Sequence, residues 1–482
     1  MSRPKTEHAR RAVEQYLDQV LSGKRPAGKL EKLALERHLR DLKEAKSRGL
    51  KFDWDHATHA INWFPLLRHP RGQAAGQPFW LVPAQQTVVA LLFGWRRREN
   101  GLRRFRRAFY SVARGNGKSP FAAGVVSKLL CADDPIALGA ECVCCATTRS
   151  QAHEYVWSQV KDFLANQPAL AKRSRLLRDR IEFLVCDLKG TLRALGADGG
   201  NADGGNLHAA VIDELHAFKN TYSHRDLIDK IETGMGKRLQ DLLIYITTAG
   251  NDQSVLWRAK YDYAEKVLTR VVDDDSFLAY VFAADPTDDP FEESIWIKAN
   301  PLMGIAVDLD SMRAMAREAR VSPAKLNAFK RYKLNLMVSS ILKAIDPEKW
   351  RRGNGPLPDL TGRECHGGLD LGWSNDLAAW SLVFPPREGE APAEPHYCTT
   401  QAWLPRDCPH DLTSEPWARF IANGSLTITD SETTDDAAIT ERIVADSQRY
   451  RLLTVAADPA NARTMLNRLT NEHSLNVFEF TQ

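Results

Sequence analysis

Lys118 and Ser119 close the run Phe109-Tyr-Ser-Val-Ala-Arg-Gly-Asn-Gly-Lys-Ser119, where a β-favouring stretch stops at a glycine-containing loop and a helix-compatible segment follows. A loop of this kind can hold a phosphate. Exposed backbone N–H groups and the positive end of the next helix face the anion, the lysine reaches the β- and γ-phosphates, and the hydroxyl ligates Mg2+. Val112 stands where the G-x-x-x-x-G-K-[ST] pattern has its first glycine, so a chance Gly-Lys-Ser remains open on this stretch alone. Two later strands change the balance. Leu207-His-Ala-Ala-Val-Ile-Asp213-Glu214 is an apolar run ending in two acids, of which Asp213 can hold Mg2+ through water and Glu214 can orient and deprotonate an attacking water. Leu242-Leu-Ile-Tyr-Ile-Thr247-Thr248-Ala-Gly250 ends in small hydroxyl residues suited to sensing a γ-phosphate. Three such strand ends in this order predict a P-loop ATPase. Upstream, Gln85 opens a helix that Gly94 closes, and its two-sided amide can pair with the edge of adenine; a plain surface amide is the competing account.

A second chemistry lies near the C-terminus. Cys365-His-Gly-Gly-Leu-Asp370-Leu-Gly-Trp-Ser-Asn-Asp376-Leu-Ala-Ala-Trp380 reads as strand, turn and strand, with Asp370 within the sheet and Asp376 at its lip. Thr454-Val-Ala-Ala-Asp458 is another apolar strand ending in an acid, with a helix-like segment from Ala460 to Leu469. Two strand carboxylates in a small α/β domain suggest an RNase H-like nuclease that holds two divalent ions for phosphodiester hydrolysis. Structural turn aspartates are the alternative.

The elements that must position these residues follow from the pattern of the chain. With 482 residues, 43% of them apolar, the chain can bury more than one core. Its net charge of +4 is too small to argue for a nucleic-acid partner from bulk electrostatics. No apolar run reaches membrane-spanning length, and the N-terminus lacks a basic-then-apolar leader. Cys142-x-x-Cys145 sits in an apolar run and reads as buried strand thiols rather than a metal site. Residues 7–50 predict helices, as do Asp53–Leu67 and the stretch after Pro83. Seven arginines between Arg96 and Arg107 form either a solvated hairpin turning at Gly101-Leu102 or a surface that touches phosphates. Residues 181–195 predict two strands around Lys189-Gly190, and residues 260–345 read mainly as helices. The Pro- and Gly-rich stretch 346–362 is an interdomain joint. The expected plan is an N-terminal helical region (1–78), an ATPase domain (79–345), the linker (346–362) and a nuclease domain (363–482).

Taken together, these pieces resemble the large subunit of tailed-bacteriophage terminases, motor-nucleases that package viral DNA. The resemblance spans nearly the whole chain. It rests on Pro83-Ala-Gln85, Phe93-Gly-Trp95, Gly101-Leu-Arg-Arg-Phe105, the loop Val112-Ala-Arg114-Gly-Asn-Gly-Lys-Ser119, Gln151-Ala152, Asp213-Glu214-Leu-His216, Thr247-Thr-Ala-Gly250, Trp296-Ile-Lys-Ala-Asn-Pro301 and Lys333-Leu-Asn335 before Trp350. It implies an α/β fold: a P-loop NTPase (RecA/ASCE-like) parallel sheet with helical additions, followed by an RNase H-like domain. Gln85, Arg114, Gly115, Asn116, Gly117, Lys118, Ser119, Thr247 and Thr248 would bind ATP. Lys118, Arg114 and Glu214 would act in its hydrolysis, with Ser119 and Asp213 on Mg2+. Arg114, Arg149 and Arg238 are all available as the arginine that stabilises the transition state. Asp370 and Asp458 would be catalytic in the nuclease and hold two Mg2+ or Mn2+. Family nucleases carry a third acid on a late helix, and this sequence ends at Gln482 before one, so an incomplete nuclease domain is expected, with Asp376 the nearest substitute. The implied partners are double-stranded DNA, the small terminase subunit and the portal protein of the procapsid, on which the chain would form a homo-oligomeric ring. Its place would be the host cytoplasm and, transiently, the procapsid, with no membrane. Two alternatives remain: a DNA translocase or helicase without nuclease activity, and an inactive prophage remnant that only docks on partners.

Overall fold

The computed structural model describes residues 3–70, 72, 74–198, 205–339, 350–351, 353–372, 376–386, 395–408, 410, 412–413, 415, 417–458 and 462–480. Two compact units divide the chain, Met1–Leu342 and Lys343–Gln482. Part of the expected linker, residues 346–349 and 352, lies outside the described residues.

In the first unit, helices Arg3–Leu21, Lys29–Glu44 and Trp54–Ile61 come first, and β1 (Leu50–Phe52) pairs antiparallel with β2 (Trp95–Arg97). The central sheet is built from β3 (Arg107–Ser111), β4 (Glu141–Ala146), β5 (Ser174–Leu176), β6 (Arg180–Val185), β7 (Leu188–Gly196), β8 (Leu207–Asp213), β9 (Leu242–Thr247) and β10 (Phe277–Val281). Its spatial order is β10-β3-β9-β8-β4-β7-β6-β5, parallel from β10 to β7 and antiparallel beyond. Every residue of β8, β9 and β10 is buried. Strands covered on both faces have no solvated side on which to place polar residues, so they read as unbroken apolar runs. β10 was hidden in a stretch that reads as helical because a short apolar run has no period to reveal it. From β3 the chain runs to β4 on one side, whereas after β9 it crosses to β10 on the other flank of β3. At such a switch the carboxyl ends of the strands open a crevice, here those of β3, β9 and β8.

Two local readings are corrected. The β6–β7 hairpin turns at Cys186-Asp187, with φ of 48° and 63°, and not at Lys189-Gly190. An aspartate tolerates the left-handed region of a two-residue turn. Gly190 lies inside β7, where a side chain would press on the Ala140 carbonyl oxygen at 3.2 Å and on Leu130 at 3.0 Å. Three of the seven arginines of 96–107 are neither solvated nor open to phosphates, since Arg96, Arg103 and Arg104 are buried, whereas Arg98 and Arg107 are exposed. Arg103 binds Asp133 at 3.1 and 3.3 Å, and Arg104 binds Asp41 and Asp275 at 2.6 Å each. Arg96 donates to the Asp134 carbonyl at 2.9 Å. The groups that neutralise them come from distant parts of the chain, so the local sequence shows only the positive half. Cys142, Cys144 and Cys145 are buried in β4; strand alternation puts Cys142 and Cys145 on opposite faces.

The second unit holds β11 (Glu364–Asp370), β12 (Ala378–Phe384), β13 (Tyr397–Pro405), β14 (Leu426–Thr429), β15 (Arg451–Ala457) and β16 (Val477–Glu479) in the order β14-β13-β12-β11-β15-β16. β11, β12 and β13 form an antiparallel meander, and β15 and β16 run parallel to β11. Helices Asp436–Arg449 and Arg463–Asn471 supply Ile439, Ile443, Met465 and Leu469 to a core shared with Trp380 and Val455.

Candidate active sites

The phosphate-binding loop leaves β3 under constraint. Val112 N–H donates to the Thr247 carbonyl at 3.1 Å and Arg114 N–H to the Tyr332 carbonyl at 2.9 Å. Gly117, at φ 63°, turns the chain into the helix Lys118–Ala132; a side chain there would be strained and would meet Leu302 at 3.4 Å. Asn116 is buried and its amide is committed to the scaffold: Nδ2 donates to Ala113 O at 3.0 Å and Asn300 Oδ1 at 2.8 Å, and Oδ1 accepts from Leu302 N–H at 3.1 Å. Its side chain therefore shapes the loop, leaving only its backbone for a ligand.

Because β9 alone separates β3 from β8, the two acids ending β8 reach the loop. Ser119 Oγ donates to Asp213 Oδ2 at 3.3 Å, and Lys118 Nζ pairs with Glu214 Oε1 at 2.6 Å. Asp213 Oδ1 accepts the Glu214 N–H at 2.8 Å, and Glu214 itself sits in the left-handed region at φ 53°. Burial, then the Glu214 charge, pushes the Asp213 carboxyl up to about 7. Burial would raise Glu214 as well, but Lys118 opposes it and leaves that carboxyl below its usual value. The buried Glu214 Oε2 accepts no hydrogen bond, and neither does the buried Thr248 Oγ1 make one. Those unfilled oxygens, with the Ser119–Asp213 pair, are the donor set that a divalent ion, a water and a phosphate require. This site fits a metal-bound nucleotide.

Three residues quoted above only as marks of the family acquire positions. His216 Nδ1 lies 3.1 Å from Glu214 Oε2 and 3.2 Å from Thr247 Oγ1, and His216 N–H donates to the same Thr247 oxygen at 3.2 Å. Burial holds the His216 ring down at about 4, so it is neutral near pH 7. Asn335 joins three strand ends, accepting from Ala249 N–H at 2.6 Å and donating to Phe282 O at 2.8 Å and Ser111 Oγ at 3.0 Å. Asn300 Nδ2 donates to Lys333 O at 2.7 Å. Their roles depend on which strands are neighbours, so the motif pieces signalled the positions but not the functions.

Other expected residues are less engaged. Gln85 is buried in the first turn of the helix Pro83–Gly94, and no hydrogen bond joins its amide to the loop among the described residues. Arg114 is exposed, its guanidinium 3.8 Å from the centre of the Tyr332 ring. Arg149 is exposed at the start of a short helix. Arg238 is not available as a free arginine, because its guanidinium donates to the carbonyls of Asn206, Leu138 and Gly139 at 2.8, 3.0 and 2.6 Å.

In the second unit Leu369 pairs with Ala457 across the parallel strands β11 and β15, so Asp370 and Asp458, one residue further along each chain, stand side by side at the sheet edge. Neighbouring strands lie about 4.8 Å apart, close enough for two carboxylates to share metal ions. Asp370 is exposed at the strand end rather than buried within the sheet, which removes the burial argument for its needing a partner. Asp376 is exposed outside any strand, and no cluster of three or more His, Cys, Asp or Glu side chains placed to hold a metal occurs among the described residues.

A parallel-sheet nucleotide site followed by a unit of RNase H-like strand order defines a P-loop ATPase joined to a metal-dependent nuclease. The sequence families agree. "Terminase large subunit, ATPase domain" matches residues 83–266, and "Terminase large subunit, endonuclease domain" matches residues 271–482. The chain belongs to the terminase large-subunit family, and its activity is ATP-driven DNA packaging with endonucleolytic cutting. It is 25% identical over 389 residues to the large terminase subunit of Enterobacteria phage HK97, covering 81% of this chain and 74% of that one. Protein YmfN of Escherichia coli (strain K12) is also 25% identical, over 281 residues, 56% of this chain and 60% of that one. The crystal structure of the HK97 large terminase shares the fold at a TM-score of 0.50 and 23% identity, over 88% of this chain and 85% of that one. The endonuclease match begins at residue 271, yet β10 is hydrogen-bonded to β3, so the start of that match packs with the first unit. Among the described residues no helix is long and apolar enough to cross a membrane.

Proposed function

We propose that ATP is hydrolysed at the crevice formed by Lys118, Ser119, Asp213, Glu214 and Thr247, and that the observation carrying this is the Lys118–Glu214 pair at 2.6 Å beside the Ser119–Asp213 pair. Lys118 and the amides of Gly115 to Ser119 would hold the phosphates, Arg114 would add charge at the loop mouth, and Gln85 would meet the adenine. Ser119 and Asp213 would hold Mg2+, which supplies charge neutralisation on the β- and γ-phosphates. Arrival of the phosphates draws Lys118 away from Glu214 and frees the carboxylate to take a proton from water. His216, held by Thr247 and 3.1 Å from the second carboxylate oxygen, would limit where that carboxylate can turn, and Thr247 and Thr248 would carry the state of the site into β9. In the second unit Asp370 and Asp458 would hold two Mg2+ or Mn2+ for cutting, with Asp376 as a further ligand. Double-stranded DNA would be moved by the first activity and cut by the second. The functional assembly would be a ring of this chain on the portal of a procapsid in the host cytoplasm, with DNA delivered by the small terminase subunit.

The test is ATP turnover by the full chain with and without linear duplex DNA, in Mg2+ and after chelation. Turnover that requires the metal and rises with DNA supports the reading; turnover unchanged by chelation contradicts it.

A further inference from the structure

Two buried arginines of the first unit are matched with acids, in Arg103–Asp133 and Arg104–Asp41. The cations at the mouth of the phosphate-binding loop are not, among the described residues. Arg114 from the loop meets Arg331 and Lys333 from the last turn of the helix Pro323–Lys333, and among the described residues none of the three forms an ion pair. Both guanidiniums lie over one ring, at 3.8 Å (Arg114) and 5.1 Å (Arg331) from the centre of Tyr332. Lys333 Nζ lies 4.0 Å from where a Cβ on Gly115 would stand, so its ammonium is held against the loop itself. Burial, then the charge of Arg114, lowers the affinity of Lys333 for its proton. Like charges kept together with no carboxylate in ion-pair contact are unfavourable until an anion arrives.

The segment bearing them is fixed on several sides. Arg331 Nε donates to Ala249 O at 3.1 Å, Lys333 O accepts from Asn300 at 2.7 Å, and Asn335 ties Ser111, Ala249 and Phe282 together. These bonds connect residues 331–335 to the ends of β3, β9 and β10, the edge at which the loop opens.

We propose that Lys333 is a further catalytic residue of the ATPase, a cation supplied within the same chain that contacts the terminal phosphate, with Tyr332 and Asn335 as positioning residues. This rests on the reading that residues 112–119 hold the triphosphate of ATP. In the reaction, water oxygen bonds to the γ-phosphorus, the bond from that phosphorus to the β–γ bridging oxygen breaks, ADP leaves, and Glu214 receives the water proton. Lys333 neutralises the charge spread over the transferred phosphoryl oxygens and is not itself consumed.

Lys333→Met, which keeps length and loses charge, and Lys333→Arg are compared with wild type for kcat and KM of ATP, and for binding of ADP with and without aluminium fluoride, a planar mimic of the phosphoryl group. The proposal expects Lys333→Met to lower kcat about 100-fold while ADP affinity stays within about threefold and the tightening by aluminium fluoride is lost, with partial recovery in Lys333→Arg. It is overturned by a kcat within about twofold of wild type, or by equal losses of ADP and ADP–aluminium fluoride binding accompanied by a lower melting temperature, the mark of a structural tie. Lys118→Ala is run alongside; if it leaves turnover intact, the loop reading fails and this proposal falls with it, whereas loss in Lys118→Ala with normal Lys333→Met refutes the proposal alone.

Discussion

The two units treat charge in opposite ways. In the first, Asp213 is buried at 2% exposure, Glu214 is paired with Lys118, and Arg103, Arg104 and Glu31 lie in the interior with partners. In the second, Asp370 is exposed at a strand end beside Asp458, and no third acid joins them into a metal-binding cluster among the described residues. The acids of the ATPase crevice are tied to protein partners, so stability and function share residues there. At the proposed nuclease edge two acids, Asp370 and Asp458, stand at the ends of neighbouring strands. Substitutions should therefore separate: in the second unit activity is lost without stability, and in the first the two are lost together.

The largest separation is expected at the nuclease edge. Asp370→Asn and Asp458→Asn should each lower plasmid cleavage about a thousandfold or more, because several kcal/mol of transition-state stabilisation comes through the metals. In Asp370→Asn, melting temperature and ATP turnover should stay at wild-type values, since Asp370 is an exposed acid at a strand end; a marked fall in melting temperature would erase the contrast. Arg103→Met tests the opposite end. It leaves Asp133 buried without its main partner, with His208 at 2.9 Å, Gln240 at 3.1 Å and the Asp134 N–H at 2.9 Å remaining. The expected loss is about 3–5 kcal/mol in denaturant unfolding of the first unit. The salt dependence of DNA binding should not change, as Arg103 faces no solvent.

A smaller effect is expected at Glu31, which accepts hydrogen bonds from Tyr16 at 2.6 Å and Tyr280 at 3.2 Å and is raised by burial from 4.5 to about 7. The folded state holds a proton that the unfolded state has released between those values. The stability from that proton is full below 4.5 and is lost as pH rises through 7. Glu31→Gln should then raise the unfolding free energy relative to wild type near pH 8, by on the order of 2 kcal/mol, and much less near pH 5. An equal shift at both pH values would contradict it. The smallest effect concerns the metal: with two carboxylates as anchors, cleavage should be about tenfold faster in Mn2+ than in Mg2+, whose octahedral demands are stricter. Equal rates would point to a more complete ligand set.

Legibility differed between the regions for a physical reason. Asp213, Glu214 and Thr247 stand at the ends of unbroken apolar strands, and Lys118 and Ser119 open the helix that follows the loop after β3; such ends are readable from sequence because burial and its termination are local. The two-acid edge of the second unit was readable in the same way, through Asp370 and Asp458. What escaped was whatever depends on strand order. β10 carries no period, His216 matters because β9 lies beside β8, and Asn335 matters because three strand ends converge on it. Arg103 and Arg104 misled for the converse reason, since their acids lie on other elements.

The central claim is that Glu214 is the proton-accepting group of a site whose nucleotide-holding parts are separate from it. Glu214→Gln in the full chain, with ATP binding and steady-state turnover measured on one preparation, tests it most directly. The account predicts ATP affinity within about fivefold of wild type and kcat lowered by at least about 100-fold. A variant that turns over ATP at the wild-type rate would contradict it.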